Sequence, residues 1–342
     1  MTDYQLMNAE HPPKVSIIIP VLNAGGILEN CLRSIRGQDY PSAAIELLVA
    51  DGRSADNTRE MAQSYGARLL DNPLRIAEQG KRIALAAASG DFIAFMDADN
   101  ELSHPDFLRL AVEALQANPQ ALGVESYYPA SPRMGSFCNY LNKTLHIGDP
   151  ISWLMSVNPV FLGKTGKIER WGFPGERYAY PLGANGFIYR RGDLESVGAS
   201  ESFEDTQVAL KLVLAGKREW LRIENRGVHH YLVKGLVDFI RKRRRQAYHH
   251  LSLRSRSPLS WTAQKPQATP LMACLYCATL IGPIYHTLRG LLVTRDVRWL
   301  WHPIACLASL VGLSWGVLTY LQSPKTADAE ARLQPTQVLK RS

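Results

Sequence analysis

Cysteine is scarce. Five residues among 342 are too few to staple a chain of this size, and an odd count suits a reduced compartment, so a disulfide scaffold is excluded. Glycine (25) and proline (20) stand near average frequency, which excludes collagen-like and low-complexity chains. Residues 1–14 are polar and lack an apolar core, so no cleavable signal peptide is expected and the following body is expected in the cytosol. Two motifs fail on inspection. Gly163-Lys-Thr165 ends like a P-loop, but Asn158 stands where its upstream glycine is required, and Cys274-x-x-Cys277 has no further ligands at zinc spacing. Excess charge is also local. The net charge is +8, yet twelve Lys/Arg against three Asp/Glu lie between Lys217 and Arg256, leaving the remainder at −1. With no RNA motif or helix-turn-helix pattern beside it, that basic stretch argues for a membrane surface and against nucleic acid.

What is present begins with a β-branched run, Val15 to Ile19, ending at Pro20; Ile45 to Ala50 and Asp91 to Met96 repeat the pattern. Such short apolar runs are the profile of buried parallel strands. Helical stretches alternate with them: Ile27–Arg36, Ser54–Tyr65 with Ser54 as cap, Ile76–Ser89, a helix ending near Asn118, and Glu204–Ala215. The alternation predicts an α/β fold with a doubly wound, mostly parallel sheet. Tyr127 to Tyr180 is irregular and rich in aromatics, which suits a substrate-facing region. Leu271–Leu288 and Trp299–Leu321 are apolar runs long enough to cross a hydrocarbon core of roughly 30 Å. Seven Lys/Arg and no acid between Arg241 and Arg256 place their near flank in the cytosol, predicting a spanning helical hairpin with both ends cytosolic; because His286, Pro283 and His302 weaken the runs, a pair of interfacial or re-entrant helices is the alternative. The expected organisation is a polar extension (1–14), a catalytic domain (15–230), a basic amphipathic segment (231–260), two hydrophobic helices (271–321) and a polar tail (322–342).

Five clusters carry chemistry. Pro20-Val-Leu-Asn23 with Gly25-Gly26 closes the first strand at the rim where open parallel sheets bind ligands. Asp51 closes the second strand beside Gly52 and can accept hydrogen bonds from a ribose or a base N–H, or simply form the turn. Asp97-Ala-Asp99 follows the third run; read as strand, its alternation puts both carboxylates on one side, where they can hold a hard divalent cation. Glu204-Asp205 opens a helix, and a carboxylate there suits either the helix dipole or general-base work on a hydroxyl. His229-His230 precedes the basic segment, and an imidazole can complete a carboxylate-bound Mn or Mg site.

The order of the motifs is more telling than any one of them. Val15-Ser-Ile-Ile-Ile-Pro20-x-x-Asn23, Val49-Ala-Asp51-Gly-x-Ser-x-Asp-Asn-Thr58, Ser89-Gly-Asp-x-Ile-x-Phe-Met-Asp97-Ala-Asp99, Gly183-Ala-Asn-Gly186, Glu204-Asp205 and His229 together resemble the family-2 inverting glycosyltransferases of GT-A fold, Rossmann-like transferases of nucleotide-diphospho-sugars. The resemblance covers about residues 14–250. It implies that Pro20, Asn23 and Asp51 line the nucleotide pocket, that Asp97 lies against ribose and metal, and that Asp99 holds Mg2+ or Mn2+ on the diphosphate. It also implies Asp205 as catalytic base with Glu204 beside it, and His229 as a third metal ligand. Many relatives carry Asn where this chain has Arg82; with Lys81, this residue is expected to contact the diphosphate instead. The Gln-x-x-Arg-Trp signature of processive synthases is absent, the corresponding stretch reading Gln246-Ala-Tyr-His-His250. The expected activity is therefore transfer of one sugar from a UDP-, GDP- or dTDP-sugar to a lipid-linked or glycan acceptor at the cytosolic face of a bacterial inner membrane, in cell-envelope glycan synthesis. A processive synthase or a non-catalytic nucleotide-sugar-binding partner are the alternatives.

Overall fold

The computed structural model describes residues 12–144, 149–183, 185–201, 203–253 and 266–322. Most of the expected extension (1–14), the end of the basic segment (254–260) and nearly all of the tail (322–342) lie outside these residues. In chain order the first half contains β1 (Val15–Val21), α1 (Gly25–Arg36), β2 (Ile45–Asp51), α2 (Thr58–Ser64), β3 (Arg68–Asp71), α3 (Ala77–Ala87), β4 (Phe92–Phe95), β5 (Asn100–Leu102), α4 (Phe107–Ala117) and β6 (Val124–Tyr127). Two short helices follow, α5 (Ser136–Asn139) and α6 (Pro150–Met155), then β7 (Val160–Thr165), β8 (Ile168–Gly172), β9 (Ile188–Arg190), α7 (Arg191–Ser196), α8 (Asp205–Leu214) and β10 (Glu219–His230). The last helices are α9 (Leu236–Leu253), α10 (Pro270–Thr279), α11 (Ile281–Thr294) and α12 (His302–Gln322).

The chain divides into two compact units. The first contains the sheet, in the order β3-β2-β1-β4-β9-β6-β10-β8-β7 with β5 added on β10. Its first four strands are all parallel, as the alternation of strands and helices requires; beyond β4, antiparallel β9 makes the sheet mixed. The register Val21↔Asp51 brings the carboxyl ends of β1 and β2 level, so the loops bearing Asn23 and Asp51 share one rim. Val15, Ile17 and Ile19 bury one sheet face beneath Leu28, Leu32 and Ile35 of α1 and Phe107 and Leu115 of α4. On α3, a Cβ built on Gly80 would fall 3.2 Å from those of Pro20 and Ala50, so glycine suits the close seating of this helix on β1 and β2.

The second unit comprises residues 132–156, 232–260 and 266–342. Its interior is partly polar. Buried Asp149 caps α6 through the Ser152 N–H (2.8 Å), accepts from Ser309 Oγ (2.6 Å) and pairs with Arg243 (3.5 Å). The expectation that Leu271–Leu288 forms a single helix is corrected. The run breaks at Leu280 (φ +60°), and α10 and α11 meet at a 78° bend. Pro283 explains the break, because a proline is tolerated in the first turn of α11 but would interrupt the hydrogen-bond ladder of a continuous helix. Residues 297–322 form the one described helix that is by itself long and apolar enough to cross a membrane.

Candidate active site

The rim of the parallel strands is built by loops that bind one another. The Asn23 N–H donates to Ser54 Oγ (2.8 Å) while Asn23 Oδ1 accepts from the Ala55 N–H (2.9 Å), tying the loop after β1 to the loop after β2. Asp51 is fully buried. It accepts from Ser54 Oγ (2.6 Å) and pairs with Arg59 (3.0 Å), so its carboxylate organises this turn. Ser54 is thereby drawn into the loop, and α2 starts only at Thr58 with Asn57 at its N-cap, three residues later than the capping pattern predicts. Pro20 lies within β1 opposite Ala50 and supports α3 from below.

Asp97 and Asp99 are not on a strand. β4 ends at Phe95, and the Asn100 N–H donates to the Asp97 carbonyl (3.0 Å), so both acids sit in a tight turn between β4 and β5. Strand alternation therefore does not place the two carboxylates, because the apolar run extends through Met96 while the backbone already turns; they share one turn instead. Cys31 lies beneath it, its Sγ 3.9 Å from the Asp97 carbonyl. Burial, with Asp99, Asp97 and Glu101 adding, pushes the Cys31 thiol far up, so it packs as a neutral group.

Lys81 is the centre of the arrangement. Its side chain is 4% exposed, and its Nζ lies 2.7 Å from Asp205 Oδ2 and 3.2 Å from Asp97 Oδ1. Burial opposes the charge on Lys81, but Asp205 and Asp97 outweigh it and raise the pKa, so the ammonium persists. Asp205 occupies the first turn of α8 with Glu204 at the N-cap; the Glu204 side chain accepts from Gln207. Burial pushes the Asp205 carboxyl above its ordinary value, with Lys81 opposing and Asp97 and Glu78 adding. Asp205 Oδ1 is buried and has no hydrogen-bond partner among the described residues. Arg82 engages Gln79 Oε1 (3.2 Å) and the Ser200 carbonyl (3.5 Å), so of the two cations Lys81 alone reaches the acids.

The two histidines part company. On β10, His229 opposes Glu101 and its Nδ1 lies 3.0 Å from the Pro129 carbonyl, whereas His230 opposes Asn100 and points to the other face. His230 lies 3.5 Å from Asn185 Nδ2 and 5.8 Å from the Tyr128 ring, and Asn185 Oδ1 accepts from Asn100 Nδ2 (3.4 Å). Asn185 has φ +43° between Gly183 (φ +100°) and Gly186 (φ +77°), and a Cβ at Gly186 would fall 2.6 Å from Val228. Those glycines let the loop carry Asn185 against β10. In the sequence the Gly183–Gly186 motif carries no role of its own, and Tyr128 is marked only as an aromatic in an irregular stretch. Nor does the sequence mark the buried set of Glu125, which accepts from Trp220 Nε1 (2.7 Å) and Arg222 Nε (2.8 Å), with Tyr180 OH 3.1 Å away.

Among the described residues no group of three His, Cys, Asp or Glu is assembled to hold a metal ion. Asp97 and Asp99 nevertheless offer hard oxygen donors from one turn, and the Asp97 side chain is 40% exposed, which fits a divalent cation whose remaining ligands come from a substrate.

Residues 16–133 match the family model Glycosyl transferase family 2. A glycosyltransferase of Haloferax volcanii, AglE, is 30% identical over 144 residues, covering 38% of this chain and 47% of that protein. The GalNAc(5)-diNAcBac-PP-undecaprenol beta-1,3-glucosyltransferase of Campylobacter jejuni is 33% identical over 97 residues, covering 26% and 31%. The chain thus spans less than half the length of these curated relatives. Among solved structures, the mannosyltransferase PcManGT of Pyrobaculum calidifontis, in complex with GDP-Man and Mn2+, superimposes with a TM-score of 0.53 at 18% identity, covering 92% of this chain and 89% of that one. Residues 16–133 of this chain are thus similar to glycosyl transferase family 2, within an α/β fold like that of this mannosyltransferase.

Proposed function

We propose that the chain transfers one sugar, with inversion, from a nucleotide-diphospho-sugar to a lipid-linked acceptor at the cytosolic face of a membrane. One observation carries the reading: Lys81 draws the Asp97–Asp99 turn and the first turn of α8 together, leaving Asp205 Oδ1 buried without a partner among the described residues. An acceptor hydroxyl is the group such an oxygen is suited to meet. Asp205 Oδ1 takes the proton as the hydroxyl attacks the anomeric carbon from the face opposite the diphosphate. The Lys81 ammonium holds Asp205 Oδ2, which fixes the carboxylate and favours its ionised form. A divalent cation held by Asp97 and Asp99 would act as Lewis acid on the departing diphosphate. His230, on the face of Asn100 and Asn185, is better placed than His229 to approach that site. Asn23 and Asp51 shape the nucleotide side of the rim. For the acceptor, support comes from the name of the Campylobacter relative and from the exposed apolar side chains of α10 to α12.

The test uses the full chain with labelled UDP-, GDP- and dTDP-sugars, a membrane lipid extract, and Mg2+ or Mn2+. One donor is expected to be consumed, with label passing into organic solvent, and Asp99→Ala is expected to abolish it. Failure to turn over any donor, or full activity in Asp99→Ala, overturns the proposal.

A further inference from the structure

The second unit leaves large apolar side chains uncovered: Leu271 and Leu275 on α10, Leu288 and Leu292 on α11, Ile304 and Val311 on α12 are each at least 43% exposed. So much apolar surface on three helices of one unit calls for an occupant. Length and charge within the unit decide how a bilayer can cover it.

The helix formed by residues 297–322 is long and apolar enough to cross a membrane, but α9 is packed along half of it. A Cβ built on Gly312 would fall 2.6 Å from the Arg243 Cβ and 2.7 Å from the Ile240 carbonyl, and one on Gly316 would fall 2.6 Å from the Ala247 Cβ. Arg244 stacks over Trp315 at 4.3 Å and reaches Thr319 Oγ1 at 3.3 Å, and Tyr248 meets Tyr320 with ring centroids 6.2 Å apart. The contacts advance together, so residues 240–248 run parallel to residues 312–320. That stretch of α9 contains Arg241-Lys-Arg-Arg-Arg245, with Arg241 and Arg245 on the exposed side. Whatever depth residues 312–320 reach, five cations reach as well.

Charged side chains are expensive in hydrocarbon, so this half of the helix belongs at the level of the headgroups. The remainder, residues 297–311, is about 22 Å long, short of the roughly 30 Å needed to cross. α10 and α11, with 10 and 14 residues, are about 15 and 21 Å long and meet at 78°, so the pair does not make one straight span either. We infer that the second unit is monotopic: the exposed apolar faces of α10, α11 and α12 sink into one leaflet, and Arg241 and Arg245 of α9 bind the anionic headgroups of that same leaflet. This arrangement does not depend on the transfer reaction, and of the two topologies that hydrophobicity leaves open, spanning hairpin and interfacial pair, it favours the second.

Two measurements on the full chain test it. Arg295, exposed between α11 and the residues that lead into α12, falls on the far side of the membrane in a spanning hairpin whose flanks are cytosolic. In cells producing Arg295→Cys, an impermeant maleimide added outside is expected to leave this cysteine unlabelled, with labelling appearing after detergent. Labelling in intact cells overturns the inference. In the second, purified protein is mixed with vesicles of phosphatidylcholine alone or with about one third phosphatidylglycerol. Binding is expected to favour the anionic vesicles and to weaken about 25-fold in the double variant Arg241→Gln, Arg245→Gln, about fivefold per cation. Equal binding to both vesicles, unchanged binding by the double variant, or a lipid-indifferent dimer that buries the apolar face overturns it.

Discussion

Replacing Lys81 by Met tests the heart of the site, because it keeps the length of the side chain and removes the charge that joins Asp97 to Asp205. With an effective dielectric constant of about 20, contacts of 2.7 and 3.2 Å correspond to gross attractions of about 6 and 5 kcal/mol. Much of this is offset by the several kcal/mol required to dehydrate each ion. What remains after truncation is a buried carboxylate with no compensating charge, which costs about 3–5 kcal/mol. The lower end is expected, since the Asp97 side chain is 40% exposed and water can take over part of the cation's role. Urea unfolding at neutral pH, followed by a signal from the first unit, should show Lys81→Met destabilised by about 3 kcal/mol, with Lys81→Arg recovering part of the loss. Turnover should fall about 10²–10⁴-fold, the scale of a lost general base, because Asp205 loses the ammonium that fixes it. A Lys81→Met protein with wild-type stability and wild-type turnover would refute the reasoning.

Other outcomes follow from the same geometry. Arg82→Ala should leave nucleotide affinity unchanged by calorimetry, since Arg82 engages Gln79 and the Ser200 carbonyl; a large loss would return Arg82 to the diphosphate. Burial works to raise Glu46, but hydrogen bonds from Ser16, from the Ser89 N–H and hydroxyl, and from Lys14 outweigh it and hold the carboxyl down to about 2. A folded-state pKa below the ordinary value means that this carboxylate stabilises the fold above about pH 4.5 and loses that effect as pH falls toward 2. Thermal unfolding of Glu46→Gln against wild type should therefore differ at pH 6 and converge in acid; a constant difference would contradict the assignment.

The strands and helices that build the rim were legible because β-branched runs and amphipathic helices are local signals. β1, β2, α1 and α3 lie within a few residues of where composition puts them. The Asp97–Asp99 turn was misplaced, because apolar Met96 prolongs the strand pattern and a turn held by one backbone hydrogen bond leaves little trace in composition. The start of α2 was displaced for a related reason: the Ser54 hydroxyl serves Asp51 instead of a helix end. The central contact was not readable at all. Lys81 and Asp205 are 124 positions apart, and what joins them is the close seating of α3 that Gly80 permits. In the second unit the apolar runs were plain, but the packing of basic α9 along Gly312 and Gly316 is a tertiary fact with no periodic signature.

The most direct test of the account is a paired measurement on wild type and Asp205→Asn, using the donor identified by the panel, with donor binding and sugar transfer determined on the same preparations. The account predicts that the variant binds the nucleotide-sugar as wild type does while transfer falls about 10²–10⁴-fold. Transfer at the wild-type rate in Asp205→Asn would contradict it.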